Sequence, residues 1–313
     1  MEKNNRKRED QRAELRKYRF SFLMSTPLLI CVTLFVVIPV IIMIAMSFTS
    51  MDAGMRWDFV GLANYQKLLA FPKLKEIILR TLLFVVCNVC FSLLGSIIVC
   101  IVTTYYLDMV YQRPNLGLFY RIIWLIPNLT PQLVYVTVWR LFFGAEGYGM
   151  LNNFLASINL PTIDWFTTSA FTILIFINCL KSASGSIILF SSAIRQVPQH
   201  ILQSAKVDGA GNFYICRRIV LPYLKWPITQ KTLWSILGSF TTYEVIHLLT
   251  DGGPRLSTMT YAFYIYDTAI ASFEYGYGAA LSVFLVCFSV ILGLVMLRVF
   301  NVNKQLRSSR MDI

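Results

Sequence analysis

Apolar residues along this chain gather into six long runs separated by short polar segments. The runs cover about Phe20–Phe48, Ile77–Tyr106, Leu118–Phe143, Thr168–Ile194, Trp226–Leu249 and Gly278–Phe300. A bilayer crossing takes about 20 mostly apolar residues, so each run is long enough to cross one. Lipid offers no hydrogen bonds to an open strand edge, so each run is predicted to be an α-helix. The expected fold is an all-α membrane protein of six transmembrane helices. The second and third runs have length to tilt or to project from the bilayer. On this division residues 1–19 form a polar leading segment, 20–300 a transmembrane domain and 301–313 a tail. None of the segments outside the membrane is long enough to fold alone and hydrolyse a nucleotide.

Composition and charge sharpen that picture. Hydrophobic residues are 56% of the 313 and charged residues 14%, against about 25% charged in soluble domains. The net charge of +12 does not point to nucleic acid, because eight of the Lys and Arg residues precede Phe20. That stretch is too charged for a signal peptide and no small-residue cleavage pattern follows, so the first run is expected to be retained. With the N-terminus inside, nineteen Lys and Arg lie in cytoplasmic segments and five in outer ones. The positive-inside rule then gives N-in, C-in. Seven cysteines occur, and Cys87 and Cys90 form a CxxC inside an apolar run. With no second pair and no nearby histidine, packing is expected there and not a metal.

The loop between the fourth and fifth runs, residues 195–225, is the most informative. Pro198 is pre-organised for a helix start. Helix formers run to Asp208, and Gly209 is a natural terminator. Gly211 and Asn212 allow a turn, and Phe213–Val220 is amphipathic, with Arg217 and Arg218 placed for the headgroup level. Pro222 and Pro227 bracket the entry to the fifth run. The expected object is a short capped helix beneath the membrane, followed by an elbow. A short helix offered to a partner's groove is a recurrent recognition mode.

The residues of this loop resemble those of a family. Bacterial import permeases of the ATP-binding-cassette type carry an EAA loop: EAA, two residues, DGA, then a hydrophobic pair and LP. Here the positions read Gln203-Ser204-Ala205, Asp208-Gly209-Ala210, then Phe213, Ile219 and Leu221-Pro222. Phe59–Tyr65 looks like the FVGLxNY segment of carbohydrate permeases, and the stretch ending at Asp251–Pro254 looks like that of the MalF-type subunit. The resemblance runs from about Phe20 to Phe300. It implies a permease in the bacterial cytoplasmic membrane that is not an enzyme. Its partners would be a second, different permease, two ATPase subunits holding ATP and Mg, and an external sugar-binding protein. It also implies that Gln203, Ser204, Ala205, Asp208, Gly209 and Ala210 couple to an ATPase. Gln203 and Ser204 depart from the family's Glu and Ala. A glutamine offers a neutral bond, roughly half as strong as a charge-assisted one.

Polar residues within the runs suggest a pathway. Asn178, Lys181 and Gly185 share one helical face. Ser235, Ser239 and Thr242 form a second stripe, with Tyr243, Glu244 and His247 at its outer end. A sugar fits between such stripes, since its hydroxyls need donors and acceptors and its C–H faces need aromatic cover. The expected pathway residues are Asn178, Lys181, Ser239, Thr242, Tyr243 and Glu244. Serine and threonine in spans also bond their own or a neighbouring helix. Similar permeases often have tryptophan where Lys181 stands. Its charge calls for compensation, by an anionic sugar or by a permanent carboxylate such as Glu244 or one of the partner permease. Pro127 and Pro131 are expected to kink the third run. Aromatics of the outer loops, Tyr148, Trp165 and Phe166 among them, suit interfacial anchoring or ligand contact.

Two other functions fit a chain of this kind. An ion-coupled secondary transporter predicts inverted repeats and broken helices at the midplane, and no repeat is visible. A membrane enzyme needs a cluster of catalytic groups at one interface, and His200 and His247 are isolated on opposite sides.

Overall fold

The structure, a computed structural model, describes residues 22–300 apart from Glu146. The basic leading segment and the tail from residue 301 lie outside the described residues. In chain order the principal helices are α1 (Phe22–Met46), α2 (Leu74–Val110), α3 (Pro114–Leu129), α4 (Gln132–Phe142), α5 (Ala170–Arg195), α6 (Gln199–Val207), α7 (Lys225–Thr241), α8 (Glu244–Leu249) and α9 (Tyr275–Val299). No strand is formed among the described residues beyond an isolated bridge between Thr49 and Phe59.

Helices α1, α2, α5 and α9 are each long and apolar enough to cross a membrane. The third run, expected to be continuous, is instead two helices, α3 and α4, bent by 100° at Thr130–Pro131. Pro131 has no N–H to continue the ladder and drives the residue before it out of the helical region. Thr130 accordingly sits at φ −74° and ψ 131°, while Pro127 is accommodated inside α3. The fifth run is also interrupted. Helix α7 ends after 17 residues, Thr242 is extended at ψ 117°, and α8 begins at Glu244. No proline or glycine marks this second break. The hydroxyls of Thr241 and Thr242 donate to the Gly238 carbonyl at 3.0 and 2.8 Å, and such side-chain bonds compete with the backbone ladder.

Helix α1 is the most apolar and has no buried residue in its hydrophobic window. Side chains such as Phe35, 78% exposed, would be costly in water and are at home against lipid. Helix α2 is 37 residues long. At 1.5 Å per residue it spans about 55 Å, well beyond a hydrocarbon core of about 30 Å.

Two compact units can be distinguished: residues 22–70 with 268–284, and residues 71–267 with 285–300. In the first, the Phe59–Tyr65 segment fastens the end of α1. Asn64 Nδ2 donates to the carbonyls of Ser47 and Thr49, both at 2.9 Å, and Tyr65 meets the Ser47 hydroxyl at 2.8 Å. These bonds satisfy backbone carbonyls of the turn just past the end of α1. Lys67 pairs with Glu274 and lies over the Tyr277 ring.

In the second unit α2 packs along α5 and α7. One apolar cluster joins the end of α2 (Cys100, Tyr105), the end of α5 (Phe190, Ile194), Leu202 of α6 and the elbow after it (Ile215, Val220). The Tyr105 hydroxyl donates to the Asn212 carbonyl at 3.0 Å, fixing the elbow to α2.

Candidate functional site

The surface helix α6 forms as its sequence predicts. Pro198 occupies the cap, with φ −60°. At the other end Val207 is the last helical residue, Asp208 is the cap and Gly209 turns left-handed, at φ +83°. Gly209 N–H donates to the Lys206 carbonyl at 3.1 Å and Ala210 N–H to the Ala205 carbonyl at 2.9 Å. This pair of bonds is the Schellman cap. Leu202 is the only buried residue of the helix. Ala205 and Ala210 are half-buried against the cluster, and Gln203, Ser204, Lys206, Val207, Asp208 and Gly209 face outward. Val207 is 88% exposed, a wide apolar surface for a residue that nothing in its own unit covers. The elbow runs through Asn212–Ile215 and a wider π-helical turn, Cys216–Val220. Its inner face buries Ile215, Cys216 and Val220, while Phe213, Tyr214, Arg217 and Arg218 are exposed. Burial pushes the Cys216 thiol up from its ordinary range, so this cysteine packs as a small apolar side chain.

Lys181 reaches the first interruption, and Thr242, Tyr243 and Glu244 form the second. Lys181 Nζ donates to Gln132 Oε1 at 2.5 Å and to the Thr130 carbonyl at 3.3 Å, so it ties α5 to the break between α3 and α4. It also lies 5.2 Å from the centre of the Tyr135 ring, and the Tyr135 hydroxyl donates back to the Ile177 carbonyl of α5 at 2.8 Å. Glu244 lies in the first turn of α8, where the helix dipole favours a carboxylate. Asn178 is half-buried on the same face of α5, one turn from Lys181. Tyr243, in the second break, is exposed and stacks on Tyr266 with ring centres 5.0 Å apart. Thr242 is half-exposed beside it.

Ser239 stands apart from this group. It is 3% exposed, donates to the Ser235 carbonyl at 2.6 Å and accepts from Asn88 Nδ2 of α2 at 2.6 Å. In this arrangement its hydroxyl joins α7 to α2. Beyond the breaks a cavity of about 730 Å³ opens between α4, α8 and the short helix Trp165–Thr168, lined by Arg140, Tyr148, Phe166 and His247 among others. The Trp165 ring packs against Phe143, and its Nε1 donates to Asn152 Oδ1 at 3.1 Å.

The site is thus a capped surface helix rooted in the core, following the membrane-length α5 of a helical bundle in which α3–α4 and α7–α8 are interrupted. Broken helices also occur in ion-coupled transporters, so they do not by themselves choose between the two transport classes. Comparison with known proteins does. The chain is 27% identical over 283 residues to the sulfoquinovosyl glycerol transport system permease protein SmoG of Agrobacterium fabrum, covering 89% of each. It is 26% identical to the trehalose/maltose transport system permease protein MalF of Thermococcus litoralis, over 86% of this chain and 89% of that one. No protein-family model matches the chain. Among solved structures it shares the fold of a chain in a bacterial alginate ABC transporter, with a TM-score of 0.77, 20% identity and coverage of 91% of this chain and 94% of that one. The chain is thus a homologue of the permease subunits of sugar ABC transporters.

Proposed function

We propose that this chain is one of two permease subunits of an ATP-binding-cassette importer that carries a sugar or oligosaccharide across a bacterial cytoplasmic membrane. An external binding protein delivers the sugar. ATP and Mg are held by two separate ATPase subunits, and this chain performs no chemistry. The topology is N-in, C-in with six crossings, two of them the interrupted pairs α3–α4 and α7–α8. The observation that carries the reading is α6, a helix with one buried anchor and an outward face of Gln203, Ser204, Asp208 and Gly209. Such a helix moves as part of its own bundle yet presents a face for another protein. An ATPase closing on its twin would carry α6, and the shared cluster would pass the motion to the ends of α2 and α5.

The pathway in this reading runs by the two breaks, past Lys181, Asn178, Thr242, Tyr243 and Glu244. Interrupted helices expose backbone polar groups at membrane depth, and these groups suit sugar hydroxyls. The bonds from Lys181 to Gln132 and to the Thr130 carbonyl hold its ammonium within this chain, which favours a permanent bracing role over an obligatory anionic sugar. An acidic substrate keeps one point in its favour, since the Agrobacterium relative is named for a sulfo-sugar. Vesicles holding the purified complex test the class. ATP-dependent, vanadate-sensitive uptake is expected. Uptake driven by an ion gradient without ATP would establish the secondary-transporter alternative.

A further inference from the structure

A cluster of three charged side chains sits at the end of α2. Asp108 lies in the π-helical stretch Ile101–Val110 that ends α2, Arg121 lies in α3, and Arg195 is the last residue of α5. Pro198, the cap of α6, follows Arg195 closely. A single carboxylate oxygen, Asp108 Oδ2, accepts from Arg121 Nη1 at 2.9 Å and from Arg195 Nη2 at 2.8 Å.

The two arginines are held differently. The Arg121 side chain is 6% exposed, and its Nη1 also donates to the Thr103 carbonyl at 2.9 Å and the Thr104 hydroxyl at 3.1 Å. It is therefore fixed to α2, the helix that carries Asp108. The Arg195 side chain is 54% exposed, and among the described residues Asp108 is its one charged partner. Gly117 of α3 closes the other side. A Cβ there would stand 2.1 Å from Asp108 Oδ1 and 2.4 Å from the Thr103 carbonyl oxygen, so only a bare backbone permits the approach. Asp108 Oδ1 and Arg121 Nη2 are buried without a hydrogen-bond partner, and the ionic bonding of the carboxylate passes through Oδ2 alone.

Releasing Arg195 strands no charge. Asp108 keeps Arg121, and Arg195 already reaches water. Releasing Arg121 would leave a buried ion uncompensated, which is strongly unfavourable. The cluster is a permanent pair with one detachable arm, and that arm belongs to the chain entering α6. We propose that Arg195 is a positioning residue for coupling: its bond to Asp108 latches α6 in the arrangement seen here and lets go when a docked ATPase moves the helix. The proposal rests on the reading that α6 docks on an ATPase.

The test uses the whole transporter, captured through a tag on this chain, with ATP as the probe and basal hydrolysis as the readout. Arg195→Gln removes the charge and the latch. Unlatching favours the moved state, so basal hydrolysis is expected to rise about two- to fivefold, the range a partly exposed ion pair spans, with unchanged assembly and Tm. Arg195→Lys supplies the single donor that one oxygen needs and is expected to return hydrolysis to the wild-type rate. Unchanged hydrolysis in Arg195→Gln overturns the proposal, as does a lysine variant that behaves like the glutamine one. Loss of the assembled complex in Arg195→Gln also overturns it, since the contact is then a brace. A wild-type complex that contains no ATPase removes the docking reading and the latch with it. An ATPase that is present and insensitive to Arg195→Gln removes the latch alone.

Discussion

Replacing Gly209 by valine tests the docking helix at its most constrained backbone position. At φ +83° an L-residue is strained, yet a Cβ at this site meets no atom within 4 Å. The cost therefore comes from the backbone alone. A left-handed conformation costs an L-residue about 1–2 kcal/mol, more for a β-branched one. That lowers the population of the capped geometry about five- to thirtyfold, since about 1.4 kcal/mol is a factor of ten. The bonds from Gly209 to Lys206 and from Ala210 to Ala205 are the ones released. Leu202 and the cluster around it are untouched, so insertion and fold survive. The assay measures ATP-dependent uptake and stimulated ATP hydrolysis in the assembled complex, for Gly209→Val beside Gly209→Asn. Asparagine visits the left-handed region readily, so it retains most of the activity that valine loses. Full activity in the valine variant refutes the docking assignment. Equal loss in both variants would instead place the requirement in the partner's surface.

Lys181→Met keeps side-chain length and leaves the Thr130 carbonyl and Gln132 without their donor, so complex stability is expected to fall by about 1–3 kcal/mol in thermal unfolding. Unchanged stability with weakened uptake of an acidic sugar reassigns the lysine to substrate. Gly117→Ala sets a methyl against Asp108 and the Thr103 carbonyl, and is expected to cost about 1–3 kcal/mol, seen as a lower Tm of the complex. A tagged copy of this chain is expected to bring down a different permease, and active complexes of this chain with itself alone would reject the heterodimer. Gln203→Glu is expected to keep uptake and to make docking more salt-sensitive, because a charged acceptor replaces a neutral one; an unchanged salt profile would show that this position does not touch the ATPase.

The helices were legible from apolar run length, and α6 from Pro198 and Gly209, because both signals are local. The break at Thr130–Pro131 was half legible: proline announces a kink, but a 100° turn depends on what receives the freed carbonyl, and Lys181 is 51 positions away. The break at Thr242 carried no proline or glycine, only threonines whose hydroxyls turn inward. Ser239 read as part of a polar stripe, yet its partner Asn88 lies 151 positions earlier, and periodicity cannot say which stripe faces a neighbour. The Asp108 cluster was missed for the same reason. Counted for topology, Arg121 and Arg195 were interchangeable positive charges. The available signal was an aspartate closing an apolar run, with a glycine on the helix that follows.

The single anchor of α6 also bears on how such transporters diverge. Leu202 is the one buried residue of the helix, with Ala205 half-buried beside it, so the exposed side chains are free to change at little cost to the bundle. Gln203 and Ser204 are two such changes. If α6 docks as proposed, the outward face is an interchangeable adaptor: a permease would track drift in its ATPase, or be moved onto another, by exchanging a handful of surface side chains while the membrane domain stays as it is.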